Sequence, residues 1–329
     1  MADEPRGAAG EQPEGDDLSR ALGSLRREIR ARFPAPRAPV PRRAGPGAEL
    51  DWGAVFADVR RRIATLGMSE RSGEVDEFGM DEVVVDRLRP LLGLLFEHWF
   101  RVDLAGVEAL PERGPALLVA NHSGLLPWDG LMLSHAIERF HPEHERSRFL
   151  VADWLITLPF VQPYLARLGG VRACRENAER LLDAGRFVIA FPEGVKGAAK
   201  VFRERYRVKR FGRGGVVRVA LETGVPLVPV GIVGAEEAHP LLFKWSTPAR
   251  AVGLPFVPVT PTFPWLGALG AVPLPTKWVI RIGEPLALDH LAPDAGADEL
   301  LVSRLTEELR SRVQSLVDVA LAERESIWA

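Results

Sequence analysis

Five short apolar runs, each closed by turn-forming residues, limit what this chain can fold into: Ala116 to Ala120, Arg148 to Val151, Phe187 to Phe191, Leu227 to Ile232 and Trp278 to Arg281. They have the length of strands, and their near-continuous apolar character fits burial on both faces rather than a sheet with one wet side. Segments of helical period lie between them: Trp128 to Phe140, Glu176 to Ala184, and Arg213 to Thr223 ended by Gly224. Apolar strands alternating with helices predict an α/β fold, with a mostly parallel or mixed central sheet covered by helices on both faces. Further helices are expected over Asp51 to Leu66 and Asp81 to Phe100. A closing amphipathic helix is expected from Asp298 to about Arg324, with Leu301, Leu305, Leu309 and Leu316 on one side.

An N-terminal helical extension precedes this domain. The first seventeen residues are acidic and rich in Gly, Ala and Pro, with too few apolar groups to offset chain entropy. Leu18, Leu22, Leu25, Ile29 and Phe33 then recur at helical spacing among five arginines, the pattern of a basic amphipathic helix over 18–33. Such a helix either docks on the domain or lies on a membrane surface or partner. Five prolines between Pro34 and Pro46 read as a stiff linker. Residues 1–48 are therefore expected to be a disordered or linker segment carrying that helix, and 49–329 a single domain.

Composition excludes several classes. A net charge of -2 gives no global field toward nucleic acid. One cysteine, Cys174, rules out an intrachain disulfide and reads best as a small buried or half-buried residue. The start of the chain lacks the basic and apolar regions of a secretory signal. The longest uncharged stretch, Val252 to Thr276, is long enough to span a bilayer but carries six prolines, whose missing N–H groups would leave carbonyls unpaired in lipid. It reads as an apolar loop, packed on the protein or dipping into a membrane interface. His141-Pro142-Glu143-His144 is not a zinc helix motif and reads as a polar loop, and neither a dinucleotide fingerprint nor a Walker A sequence is present. No metal and no resident cofactor are expected.

Two turns carry the chemistry. Asn121-His122-Ser123-Gly124 follows one apolar run, with Asp129 in the first turn of the next helix, and Phe191-Pro192-Glu193-Gly194 follows another. In open α/β sheets the strand ends are where ligands bind. A histidine there suits proton transfer near neutral pH. Asp129 either complements the helix dipole or fixes the imidazole tautomer. Glu193 is either a solvated turn carboxylate or a site group. Nine Lys and Arg residues between Lys196 and Arg218, with Arg172 and Arg175 beyond Gly169-Gly170, concentrate positive charge suited to an anion such as a phosphate.

Asn-His with a following Asp, the Gly-Gly-Val-Arg segment at 169–172, Phe-Pro-Glu-Gly, and Val225 to Val230 occur in this order. Over about residues 90 to 290 the chain resembles the glycerolipid acyltransferase family, the lysophosphatidate and glycerol-3-phosphate acyltransferases. The resemblance implies that 49–329 is an acyltransferase domain. It implies transfer of a fatty acyl group from acyl-CoA or an acyl carrier protein, as co-substrate, to a lipid hydroxyl. His122 would be the base and Asp129 its support. Glu193, Gly194, Arg172 and Lys196 would hold the acceptor, and Pro229, with the Val-Pro segment, would line the acyl or acceptor site. Oxyanion donors are expected among amides near Gly124 or Gly194.

Two departures bear on the acceptor. Six residues, Ser123 through Trp128, separate His122 from Asp129, a longer interval than the family pattern has, so the two meet only if this turn loops out. Lys196 stands where the family often has arginine, losing the bidentate fork that suits phosphate. Both leave room for a neutral acceptor such as diacylglycerol beside a lysophosphatidate-like one. The implied partners are an acyl thioester, a lipid acceptor and a membrane surface, with no nucleic acid. The implied setting is cytoplasmic, peripheral on the inner face of the membrane. Membrane contact falls to the 18–33 helix, the Asp81–Phe100 region or the Val252–Thr276 loop. A non-catalytic lipid-binding or scaffold protein of the same fold stays open, as does a lipid hydrolase, although Gly-x-Ser-x-Gly is absent.

Overall fold

The apolar runs form the sheet. The computed structural model describes residues 75–124, 126–143, 146–156, 161–251, 254–288 and 290–328. The expected extension over 1–48 and the helix expected over Asp51–Leu66 lie outside the described residues. The strands are β1 (Asp103–Ala105), β2 (Ala116–Ala120), β3 (Arg148–Val151), β4 (Gly170–Arg172), β5 (Phe187–Ala190), β6 (Leu227–Val233), β7 (Phe243–Trp245), β8 (Val257–Val259) and β9 (Val279–Ile282). Seven of them make one sheet in the order β1-β9-β6-β2-β5-β3-β4. Every pairing is parallel except β6 with β9. β7 and β8 form a separate antiparallel pair.

Strand alternation divides the interior into two cores. Ala116, Leu118 and Ala120 of β2 pack on one face against α1 (Glu82–Leu94), the π turn that follows it at Leu95–Trp99, and α2 (Trp128–Phe140). Leu117 and Val119 pack on the other face against α3 (Arg175–Asp183), α4 (Gly215–Thr223) and α5 (Glu299–Glu323). Leu117, Leu118, Val119, Phe187, Val188 and Ile189 are each at most 1% exposed. Burying side chains of this size contributes about 1.5–3 kcal/mol apiece before chain entropy is counted.

Three sequence expectations change. The buried stripe of α5 is Val302, Thr306, Leu309, Val313, Val317 and Ala320. Leu301, Leu305 and Leu316 flank it half-buried, and the helix comes closest to β6 at Gly231, where a Cβ would lie 2.7 Å from the Leu316 Cβ. Asp298 starts this helix by accepting from Leu300 and Leu301 N–H, a side-chain cap. Within the stretch read as a loop over Val252–Thr276, the structure has β8 and a 3-10 turn at Gly267–Ala271. His141, read as part of a polar loop, is 1% exposed. Its ring meets Phe187 edge-on at 5.1 Å, and Nε2 lies 3.0 Å from Pro111 O.

Because β2, β5 and β6 run parallel, the turns that follow them share one edge of the sheet. His122 leaves β2 there and Glu193 leaves β5. The chain beyond β6 leaves at the same edge, and Asn121 locks this corner. Its Nδ2 donates to Ile232 O and its Oδ1 accepts from Ile232 N–H, both at 2.8 Å.

Candidate active site

The longer turn after β2 loops out at Gly124, which takes φ 76°, a conformation open to glycine without steric cost. Pro127 precedes α2 and Asp129 falls in its first turn. Asp129 is fully buried, and its Oδ2 lies 2.7 Å from His122 Nδ1. Oδ2 also accepts from Ser123 N–H at 3.1 Å, and Oδ1 from Gly130 N–H at 2.9 Å. These bonds fix the carboxylate before it meets the ring. The ring thus carries its proton on Nδ1 in the neutral state, which leaves Nε2 as the basic nitrogen. The His122 side chain keeps 17% exposure and packs on Phe191, ring centroids 4.9 Å apart.

Glu193 reaches the same residue from the other turn. Its Oε1 accepts the His122 backbone N–H at 2.7 Å, and its Oε2 accepts Lys209 N–H at 2.5 Å. Lys200 Nζ lies 3.6 Å from Glu193 Oε2 and 2.6 Å from Glu236 Oε1, with the three side chains at most 8% exposed. Burial works against charge on Lys200, but Glu236 and Glu193 outweigh it and hold its pKa above the usual lysine value. Glu236 in turn accepts Tyr206 N–H at 2.5 Å. The Glu193 side chain has no exposed surface. In this arrangement it braces the His122 turn and offers no free face to a ligand.

Gly197, which no sequence motif singles out, makes the convergence possible. A Cβ there would lie 2.6 Å from the Glu193 Cβ and 3.1 Å from the His122 Cβ. Gly194, the last residue of the Phe-Pro-Glu-Gly turn, takes φ 55° and ψ -142°, and its N–H donates to Phe191 O at 3.0 Å.

Beside His122 a cavity of about 290 Å³ runs under the sheet between β2, β3 and β5 and helices α3 and α4. Its wall is largely apolar, with Leu117, Leu150, Ala178, Ala190, Val216 and Val219 along it and Trp154 and Leu155 closing one side. His122, Phe191, Pro192 and Gly194 also contribute to it. Water in the liquid occupies about 30 Å³ per molecule, so the space suits an extended apolar group. Cys174, half-buried, and Arg175 and Arg218 also line it. Both arginines are paired, Arg175 with Glu179 and Glu222 and Arg218 with Glu299.

The remaining expected residues stand apart from this cavity. Arg172 is exposed on edge strand β4 and makes a two-pronged pair with Asp153 at 2.8 and 3.0 Å. That carboxylate raises its pKa. Lys196 is exposed on the one-turn helix Val195–Ala198. Pro229 is buried inside β6 opposite Val119, and its carbonyl accepts Gly283 N–H at 2.9 Å. Much of the basic segment is also engaged: Lys200 as above, Lys209 with Glu204, and Arg205 stacked on Phe202 and Tyr206. Among the described residues, no group of three or more His, Cys, Asp or Glu is placed to hold a metal.

A family model described as Acyltransferase matches residues 101–233, the span that holds both turns. An uncharacterized protein of Mycobacterium tuberculosis is 45% identical over 255 residues, covering 77% of this chain and 71% of its own length. One from Mycobacterium leprae is 46% identical over 256 residues, covering 77% and 70%. A human protein named DGAT1/2-independent enzyme synthesizing storage lipids is 26% identical over 226 residues, covering 67% and 62%. Among solved structures, the 1-acyl-sn-glycerophosphate (LPA) acyltransferase PlsC from Thermotoga maritima superposes with a TM-score of 0.48 at 20% identity. That match covers 94% of this chain and 99% of that one.

Proposed function

This chain belongs to the acyltransferase family, and from that premise we propose that it moves a fatty acyl group from a coenzyme A or carrier-protein thioester to a glycerolipid hydroxyl, with His122 as general base. The observation that carries the reading is His122 beside a largely apolar cavity, with its Nδ1 2.7 Å from a fully buried Asp129. Nε2 takes the proton from the acceptor hydroxyl as that oxygen attacks the thioester carbonyl. Asp129 stabilises the imidazolium that forms. The carbon–sulfur bond then breaks, and the imidazolium returns its proton to the departing thiolate. A thioester is already activated, so no acyl-enzyme is required.

The cavity is assigned to the acyl chain, because its wall offers few polar groups and its size suits a hydrocarbon segment. A neutral acceptor such as diacylglycerol fits better than a lysophosphatidate. Arg172 is held by Asp153, and Arg175 and Arg218 have carboxylate partners of their own. Among the described residues, the two arginines that line the cavity therefore offer no unpaired fork to a phosphomonoester. The relative named for synthesis of storage lipids is in keeping with this preference.

The test is incubation of the purified full chain with isotope-labelled acyl-CoA and a panel of lipid alcohols that includes diacylglycerol and lysophosphatidate. Mass spectrometry of the products should show a labelled ester that needs the acceptor. Labelled free fatty acid formed equally without acceptor would make the protein a hydrolase. Lipid binding with no labelled ester from any acceptor or donor would make it a non-catalytic member of the fold.

A further inference from the structure

The chain leaves the sheet at Val233 and returns at Val279, and the excursion between carries an apolar surface that nothing in the described structure covers. Leu242, Phe243, Trp245, Trp265, Leu266 and Leu269 are 52% to 73% exposed. Single exposed apolar residues are ordinary, but a concentration on one segment marks an interaction surface. The segment is built, not loose. Phe243 pairs with Val259 across β7 and β8, and Leu242 N–H donates to Val259 O at 2.9 Å. Thr262 Oγ1 donates to Gly270 O, which closes the turn that carries Trp265 and Leu269, and Trp99 Nε1 donates to Pro273 O, which ties the segment to the body of the domain. Phe243 and Trp245, two apart on a strand, share one face of β7.

We infer that this excursion docks on a lipid bilayer, with its tryptophans and leucines in the interface. Charge selects the occupant. From Ala238 to Gly283 the sequence has no Asp or Glu, in a chain that holds 44 of them, while Lys244 lies within the hairpin. Phe202 N–H donates to Leu241 O at 2.7 Å, which brings the exposed Arg203 to the margin of the surface. Glu204 in that same turn is held ionised first by its hydrogen bond with Lys209 and, in smaller part, by the nearby charge of Lys244. Indole and leucine side chains edged by Lys244 and Arg203, with the one neighbouring carboxylate, Glu204, paired to Lys209, match the boundary between acyl chains and anionic headgroups.

Position points the same way. The excursion starts at the edge of the sheet where His122 and Glu193 stand, and Glu236 at its base joins Lys200 of the Glu193 brace. Docking there would set the His122 turn against the bilayer. This deepens the proposed function, since a glycerolipid acceptor resides in that bilayer. The other described candidate, Asp81–Phe100, offers less: Val84, Val85, Leu88, Leu92, Phe96 and Phe100 are buried, and Val83 is its one exposed large apolar side chain. Among the described residues no helix is long and apolar enough to cross a membrane.

The test is co-sedimentation of the full chain with phosphatidylcholine vesicles, with and without about 30% phosphatidylglycerol. Trp265→Ser/Leu266→Ser/Leu269→Ser should weaken binding to both vesicle types at least about tenfold. Lys244→Ala should weaken binding only to the anionic vesicles, by about fivefold. Circular dichroism and Tm should be unchanged for both variants, because every altered side chain is exposed. Binding by the triple variant at the wild-type level would overturn the inference. So would a change from dimer to monomer without lipid and with vesicle binding intact, which would make the surface an interface between copies. The readout needs no turnover: vesicle binding lost in the triple variant while the wild type makes no labelled ester would leave the docking surface standing and remove the transferase reading.

Discussion

Two carboxylates grip one histidine, and they grip different parts of it. Asp129 comes from the helix after β2 and holds the His122 ring through Nδ1, while Glu193 comes from the turn after β5 and holds the His122 backbone through its N–H. Asp129 is fixed by neighbours in its own turn, Ser123 and Gly130 N–H. Glu193 is fixed by parts of the chain that come later, Lys200 and Lys209, and through Lys200 by Glu236. The first arrangement acts on the chemistry of the imidazole and the second on where the imidazole stands. The sequence motifs give the two acids similar weight, and the geometry separates their work.

The sharpest way to break this distinction is to change each acid in turn. Asp129→Asn should lower turnover by about 10³-fold with little change in the acceptor KM, because the ring loses its tautomer and the forming imidazolium its partner. A loss confined to KM would place Asp129 on the substrate instead. Glu193→Gln should cost about 10²-fold in kcat through a displaced His122 turn. It should also lower stability by about 3 kcal/mol, since Lys200 loses one of its two buried acids. If the acceptor KM rises while kcat and Tm hold, Glu193 contacts the acceptor, as the family resemblance implies, and the comparison above fails.

Smaller changes sharpen it. Gly197→Ala inserts a methyl between the Glu193 and His122 Cβ atoms and should destabilise by about 1–3 kcal/mol with some loss of activity. An unchanged Tm would show that the two turns are not held as tightly as described. The smallest effect concerns His135 on the far face of α2, buried against Phe96. Burial pushes its pKa down to about 4 from 6.5, against opposing pulls from Glu138 and Glu97. The unfolded chain therefore takes this proton first, and the stability the neutral ring contributes is present above pH 6.5 and lost as pH falls toward 4. His135→Leu should shrink the fall in Tm between pH 7 and pH 5 by about 3 °C. Equal acid sensitivity in wild type and variant would assign the loss to other groups.

The fold was legible where burial is uniform. Ala116–Ala120 and Leu227–Val233 are apolar along their length because both faces are covered, and composition alone reveals that. β1 and β4 are three-residue edge strands, Asp103–Ala105 and Gly170–Arg172, with partly exposed positions. They carry too few residues to show a period and exist because a neighbouring strand offers them a free edge. At the site, His122, Asp129 and Glu193 stood out because each lies in a turn where polar groups are conspicuous beside an apolar run. Lys200 and Glu236 did not, since a lysine in a basic segment looks solvated until the fold buries it between two acids. The cavity was not legible either. Its walls come from β3, α3 and α4, segments that read as core and become a site only through the gap left between them.

The role proposed for the His122 imidazole is tested most directly by one comparison. Wild type and His122→Ala are assayed side by side for labelled ester formed from acyl-CoA and the best acceptor, with circular dichroism confirming the same fold. Loss of at least about 10²-fold in the variant, with acyl-CoA binding retained, is the predicted result. Turnover near the wild-type rate would contradict it and assign the proton transfer to another group.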